Sequence, residues 1–600
     1  MIKLSDYVAN KMVEFGISHV FMVPGGLAMH LNDSFAKCEG LKCILNHHEQ
    51  ACAMAAEAYG RINDHMAAVC TTAGPAATNA ITGVLGAFQD SIPMLVISGQ
   101  SRLATMACES GLSLRSRGIQ ECNICKMIEP VTKYCELIKD PSKIRYCLEK
   151  ALYLAVSGRP GPCWLDIPMD IQGKMIDESV LVGFDPVKEG YEENKGVSEE
   201  ILDTIIEKIS KAERPVIFAG NGIRIGKSHK EFIEFVNRTG IPVVDGMSSV
   251  DAIASDHELY IGRGGTTGTR AGNLAIQNTD LLISLGSRLN YNQTGFNTES
   301  WARGAYKIIN DIDGNEVRKD SINADLEVVC DVKELLMALN NRLTSKNTGD
   351  FSKWAAVCRD WKKKYPIVTE KQNNSEKANI YTFVKLLTER LPADVNIVVS
   401  VGQSRVIGSQ AAEIKEGQRF IANATTASMG YGLPALIGAC IANNTHKTVL
   451  ITGEGSIQMN LQELQTIVHH QLPVVVFVIN NGGYHTVKQT QKNFFKSNFI
   501  GIGPESGDIS FPSMSKIADA YGITYYSARK NNELNALIDE ALGHDLPVIA
   551  EVFSDPEQIT VPKASSKRLE SGEMVSAPLE DMAPFLPREE LEQNMFIPML

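Results

Sequence analysis

The stretch TVLITGEGSIQMNLQELQTIVHHQLPVVVFVINNGGY, Thr448 to Tyr484, decides the architecture. Thr448 to Thr452 is a short apolar and β-branched run that suits a buried strand. Gly453-Glu454-Gly455-Ser456 then makes a tight turn with a carboxylate at its centre. Leu461, Leu464, Ile467 and Val468 recur at helical spacing, so a helix follows, with free N–H groups expected at its start after Gly455. Pro473 introduces Val474 to Ile479, a continuous apolar run that suits a parallel strand buried on both faces. Asn480-Asn481-Gly482-Gly483 closes the unit. Strand, helix and strand in this order carry Glu454 and Asn481 to the same C-terminal sheet edge, where open α/β sheets bind ligands. A carboxylate, an amide oxygen and a glycine-exposed carbonyl (Gly483) are hard oxygen ligands that suit Mg²⁺ with a phosphate in its shell. The competing reading is an ordinary βαβ unit with a turn glutamate, and a lone GEG would favour it.

Outward from this stretch the same alternation recurs. His19 to Val23 is a strand ending in Pro24-Gly25-Gly26, and Leu41 to Leu45 is another, followed by His47-His48-Glu49-Gln50 and an Ala-rich helix. Ala67 to Thr72 runs into Ala73-Gly74-Pro75 and Thr78-Asn79, and Pro93 to Ser98 ends at Gly99-Gln100. Strands alternating with helices give doubly wound parallel sheets. The segment Pro160 to Pro168 closes a first domain of residues 1–175, and a polar, acidic linker covers 176 to about 198. A second α/β pattern fills 195–345, with Gly220-Asn-Gly222 and Gly286-Ser-Arg288 at strand ends. A charged helical connector spans 341 to about 378. The third domain spans 379–555, with Val401-Gly402-Gln403-Ser404 after one strand and Ser428-Met429-Gly430 before a small-residue helix. Residues 556–600 lack strand signals and hold six prolines, but Leu579, Phe585, Met595 and Phe596 favour docking over free disorder. The fold class is therefore α/β, three doubly wound parallel-sheet domains plus a C-terminal tail.

Composition excludes several classes. Seventy acidic against 58 basic side chains give a net charge of −12, which argues against general nucleic-acid or anionic-membrane binding. No apolar run approaches the ~18 residues of a membrane span. Thirteen scattered cysteines look like reduced thiols of a cytoplasmic protein, and Cys122-Asn-Ile-Cys125 has no second pair to complete a metal site.

GEG followed after 24 residues by NN, between two apolar strands, resembles the motif of thiamin diphosphate (ThDP) enzymes, with Glu where Asp is usual. With the His-Glu-Gln and Gly-Pro segments in the right order, residues 1 to about 555 resemble the acetolactate synthase-like family. The resemblance implies a pyrimidine-binding, a central and a diphosphate-binding domain. Pro24, Gly25, Glu49, Pro75, Asn79, Gly402, Gln403, Ser404, Met429, Gly453, Glu454, Gly455, Ser456, Asn481 and Gly483 would then hold ThDP, and Glu454, Asn481 and Gly483 its Mg²⁺. Glu49 would hydrogen-bond N1′ of the aminopyrimidine, Met429 would prop the cofactor in its bent form, and Gln120 would line the substrate pocket. FAD is an optional cofactor of the central domain, near Gly268-Thr269-Arg270 and Asp311-Ile312-Asp313.

The resemblance further implies decarboxylation of pyruvate, transfer of the two-carbon unit to a carbonyl acceptor, and assembly into a homodimer or homotetramer. The tail would serve as an active-site lid. Three departures bear on the acceptor: Met169, Asn292 and Thr490 stand where the family has Lys, Arg and Trp. Losing a bidentate cation and opening space favours a larger uncharged carbonyl, and a keto sugar nucleotide is the expected acceptor. The alternatives are acetolactate synthesis itself and a catalytically silent scaffold.

Overall fold

The computed structural model describes all residues except 63–64, 192–195, 345–346, 569–570 and 573. Residues 192–195 of the expected linker therefore lie outside the described residues. Each domain is built on one six-stranded, wholly parallel sheet. In the first, β1 (His19–Met22), β2 (Lys42–Leu45), β3 (Ala68–Thr71), β4 (Met94–Gln100), β5 (Tyr134–Leu137) and β6 (Pro162–Pro168) lie in the order β2-β1-β3-β4-β6-β5. The central domain has β7 (Pro215–Ala219), β8 (Val243–Asp245), β9 (Tyr260–Arg263), β10 (Leu281–Leu285), β11 (Tyr306–Asp311) and β12 (Leu326–Val329), ordered β9-β8-β7-β10-β11-β12. The third has β13 (Asn396–Val399), β14 (Phe420–Ile421), β15 (Thr448–Gly453), β16 (Val474–Asn480), β17 (Thr524–Ala528) and β18 (Val548–Phe553), ordered β14-β13-β15-β16-β18-β17. The first and third sheets thus repeat one topology. The central sheet has the order of dinucleotide-binding folds, with its reversal between β7 and β10.

Burial explains the sequence patterns. Val474 to Ile479 are all buried because helices cover both faces of β16, its neighbours being β15 and β18. The small-residue helix Gly432–Ala442 packs on the Ala-rich helix Glu49–Ile62, so closely that a Cβ on Gly438 would strike the Ala55 carbonyl. A buried polar cluster fixes that junction of first and third domains. Arg61 pairs with Glu57 and, at 2.7 Å, with Asp90, while the Tyr431 hydroxyl donates to Glu57 at 2.6 Å.

The segment expected to close the first domain carries the fully buried strand Pro162–Pro168 between β4 and β5, its prolines standing where the strand begins and ends. Three sequence readings need correction. The expected linker starts as a strand, Met175–Ile176, pairing antiparallel with Ile2–Lys3, and its Phe184 and Tyr191 pack on Tyr153 of the first domain. The helix expected after Gly455 starts as a five-residue 3-10 turn, Ser456–Asn460, before Glu463–His469.

The tail, finally, carries two short paired strands, Ser566–Arg568 and Met574–Ser576, and a helix, Arg588–Gln593. It covers the central domain and does not close over the third. Leu579 and Leu591 join the core around Trp301, Trp354 and Trp361, Gln277 donates to Glu580 at 2.6 Å, and Trp361 donates to Asn594 at 3.0 Å. Only its root approaches the third domain's ligand edge, where Gln403 donates to the Gln558 carbonyl at 2.9 Å. Among the described residues no helix is long and apolar enough to cross a membrane.

Candidate functional site

The C-terminal ends of β13, β15 and β16 enclose a cavity of about 130 Å³. Gly402, Gln403, Ser404, Met429, Gly453 to Ser456, Asn481 and Gly483 all line it, so the third-domain residues expected from the sequence meet there. Glu454 is buried on its wall. One carboxylate oxygen accepts the backbone N–H of Asn481 at 3.2 Å and of Gly483 at 2.7 Å. Burial outweighs those hydrogen bonds and pushes its pKa up to about 7. The Asn481 amide donates to the Gln403 carbonyl oxygen at 2.7 Å, whereas its own Oδ1 is buried without a partner. Gly483 sits at φ +137°, and a Cβ there would run into the Ile502 carbonyl oxygen, so only glycine gives the chain this path.

An unneutralised buried carboxylate beside an orphaned amide oxygen is the donor set of a hard cation, and the residues present fit Mg²⁺. The serine turn is equally fixed: Ser456 and Ser400 hydroxyls share a hydrogen bond at 2.8 Å, and Gly430 N–H donates to Ser456 at 3.2 Å. Tyr484, His485, Thr486 and Val487 also line the cavity. Sequence reading passed over them, and their position directly after the paired asparagines was the available signal.

The first-domain residues form a separate cluster. Glu49 begins the helix Glu49–Ile62, half-buried, and its carboxylate accepts from the Asn79 amide at 3.0 Å. The loop of Pro24 and Gly25 packs on Thr72 after β3, where a Cβ on Gly25 would strike the Thr72 side chain and Leu27 N–H donates to its hydroxyl at 3.2 Å. Gln120 takes a positive φ of 56° and passes so near Gly74 that a Cβ there would strike its carbonyl, which places it beside Pro75. Among the described residues, none of the first domain lines the third domain's cavity. Within one chain the loop before Glu49 instead docks on Glu463, which accepts from Asn46 at 2.8 Å and from His47 N–H at 3.0 Å. Sequence reasoning missed Glu463 altogether.

The three expected acceptor residues do not converge in one chain. Met169 opens the short helix Met169–Gln172, and none of the three lines the cavity. Asn292 is exposed beside the stacked, exposed rings of Tyr291 and Phe296, whose centroids are 5.5 Å apart. Thr490 is exposed on the helix His485–Phe494, its hydroxyl donating to the Thr486 carbonyl at 3.1 Å.

The central domain has its own crevice, a cavity of about 180 Å³ at the reversal between β7 and β10. Gly222, Gly286, Ser287, Arg288 and Asp311 line it together with Arg159 of the first domain. Gly268 to Arg270 stand elsewhere, Thr269 capping the helix Arg270–Asn278 and the Arg270 guanidinium donating to the tail carbonyls of Met582 and Pro584.

This arrangement has close counterparts. Residues 2–127, 202–339 and 400–552 match the N-terminal TPP binding domain, the central domain and the C-terminal TPP binding domain of thiamine pyrophosphate enzymes. The acetolactate synthase large subunit of Lactococcus lactis is 30% identical over 581 residues, covering 96% of both chains. Acetolactate synthase 2 of Zea mays, a chloroplast protein, is 32% identical over 94% of this chain and 87% of its own. The isozyme 3 large subunit of Escherichia coli is 29% identical over 90% and 92%. The chain is a ThDP-dependent enzyme of the acetolactate synthase-like family.

In that family's terms, the cavity at Glu454 belongs to the C-terminal TPP binding domain and the Glu49 cluster to the N-terminal one. The silent-scaffold reading loses its ground, because three thiamine pyrophosphate enzyme domains and relatives named acetolactate synthase match nearly the whole chain.

Proposed function

We propose that this enzyme decarboxylates pyruvate and joins the remaining two-carbon unit to the carbonyl of a second 2-oxo acid, giving acetolactate. The observation that carries the site is the unpaired Asn481 Oδ1 beside the buried Glu454 carboxylate. Glu454, Asn481 Oδ1 and the Gly483 carbonyl would hold Mg²⁺, with the diphosphate against Gly402 to Ser404 and Ser456. ThDP, when bound, supplies the electron sink for decarboxylation and a nucleophilic carbon for ligation. The chain's own residues do the rest. Glu49, fixed by Asn79, would accept a hydrogen bond from the aminopyrimidine. Met429 would pack against the cofactor, and the apolar residues around the cavity would keep water from the reacting carbon.

Because Glu49 and Glu454 belong to separate clusters in one chain, a second copy completes each site, and a homodimer is the smallest working unit. The carboligase reading carries over from relatives named acetolactate synthase at about 30% identity along nearly the whole chain. A second reading, transfer to a larger uncharged acceptor such as a keto sugar nucleotide, is favoured by Asn292, an exposed neutral amide flanked by two exposed aromatic rings. Purified enzyme given pyruvate alone separates the two. Acetolactate at ~10 s⁻¹, an ordinary enzymatic rate, supports the first, and failure of homocoupling with retained decarboxylation supports the second. The central crevice supports a nucleotide-bearing cofactor of the FAD type, since its glycines and Arg288 sit at the sheet reversal. Flavin released on heating the purified protein tests this, and its absence would make the crevice purely structural.

A further inference from the structure

A cavity of about 160 Å³ lies between the central and third domains, away from both TPP-binding clusters. Its walls are the edge strand β9, the end of the helix Ser352–Lys364 with the following turn, and the end of the helix Gln403–Ala411. At ~30 Å³ per water it has room for about five waters, the size of a small organic acid. Two cations face it. Arg263 is buried, and its guanidinium donates to the carbonyls of Gln410 at 3.4 Å and Ala412 at 3.2 Å. Lys362 donates to the carbonyls of Ser255 at 2.9 Å and Tyr260 at 3.0 Å. Both cations flank one ring, at 5.8 Å and 4.7 Å from the Tyr260 centroid.

Neither cation donates a hydrogen bond to a carboxylate among the described residues. Lys362 makes no ion pair among the described residues, only the two carbonyl contacts. The carboxylate nearest Arg263 is Asp245, 3.8 Å from Nε, which itself has no hydrogen-bond partner. Burial pushes the Asp245 carboxyl up, which weakens its hold on the guanidinium, and pushes the Lys362 ammonium down, which an added anion would oppose. Two further charges face the space. Lys385 adds a third cation, 3.7 Å from Glu389, and Glu413 is exposed at the margin.

Capping of helix carbonyls accounts for Arg263 by itself. It does not account for a second, half-buried ammonium on the same wall. Buried charges are ordinarily paired and hydrogen-bonded, and a cavity with two cations that lack a hydrogen-bonded carboxylate has room for an anion.

We propose that this cavity binds a small dianion, a dicarboxylate or hydrogen phosphate, between Arg263 and Lys362. A dianion matches the two standing charges, and the Lys362 ammonium has a third N–H to give. The site stands at the C-terminal end of the helix Gln403–Ala411, whose N-terminal end carries Gln403 and Ser404 of the ThDP cavity.

Calorimetry on the holoenzyme, saturated with ThDP and Mg²⁺ so that its diphosphate site is filled, tests the proposal. Malonate and hydrogen phosphate are titrated separately, and the tighter of the two identifies the ligand class. We expect saturable binding at one site per chain, weakened at least tenfold in Lys362→Met and likewise in Lys362→Gln. In crystals of the wild-type holoenzyme, soaked selenate should place its anomalous peak between Arg263 and Lys362, a result that needs no folded variant. No saturable heat with either anion, equal affinity in the Lys362 variants, or a selenate peak absent from this cavity would each overturn it.

Discussion

Replacing Glu454 by Gln separates stability from function in a measurable way. In the metal-free protein, burial raises the Glu454 carboxyl from 4.5 to about 7. A carboxyl whose folded pKa lies above its unfolded value favours the fold while protonated. That contribution is complete below about pH 4.5 and is lost as pH rises through 7. At ~1.36 kcal/mol per unit, a rise from 4.5 to about 7 amounts to about 3 kcal/mol. Glutamine keeps an oxygen for the N–H groups of Asn481 and Gly483 and carries no charge. Metal-free Glu454→Gln should therefore gain up to about 3 kcal/mol over wild type between pH 5 and pH 8, measured by urea denaturation at both pH values. The same variant should lose Mg²⁺ and with it most ThDP affinity, measured by equilibrium dialysis, because the charge that holds the metal is gone. A stability difference that does not change with pH, or full Mg²⁺ binding by the variant, would refute the reasoning.

Glu49→Gln should fold and bind ThDP nearly normally, yet lose turnover by ~10²–10⁴, the usual worth of a catalytic proton relay; steady-state decarboxylation measures it, and near-normal turnover would remove Glu49 from the site. Gly483→Ala should destabilise the protein and abolish ThDP binding, because its φ of +137° and the Ile502 carbonyl leave no place for a methyl group; a thermal melt with and without ThDP reports both. Leu579→Ala should free the tail from the central domain at a cost of ~2–5 kcal/mol, read as early proteolytic cleavage between residues 556 and 600 with the three domains intact. Mixing inactive Glu49→Gln with inactive Glu454→Ala chains should restore part of the activity, since a mixed dimer rebuilds one site with both carboxylates; no recovery after subunit exchange would mean that each chain completes its own site.

The sequence by itself determined the three-domain α/β organisation, the strands that read as apolar runs and the ligand edge of the third domain. The reason is local: β15 and β16 are buried on both faces, so burial writes itself as uninterrupted apolar runs, and the turns after them must carry whatever faces a ligand. Gly402, Glu454 and Asn481 were legible because each follows such a run directly. The strands and helix of the tail were not, because the tail is held by contact with Trp354, Trp361 and Arg270 far away in the chain. Only the tertiary structure decided that Glu49 and Glu454 occupy different clusters of one chain, that Glu463 receives the loop before Glu49, and that Arg263 meets Lys362 across an interdomain cavity. Those facts depend on charges and backbone groups brought together from segments about 100 or more residues apart. No periodicity records such pairings, because their energy is released only when the domains pack.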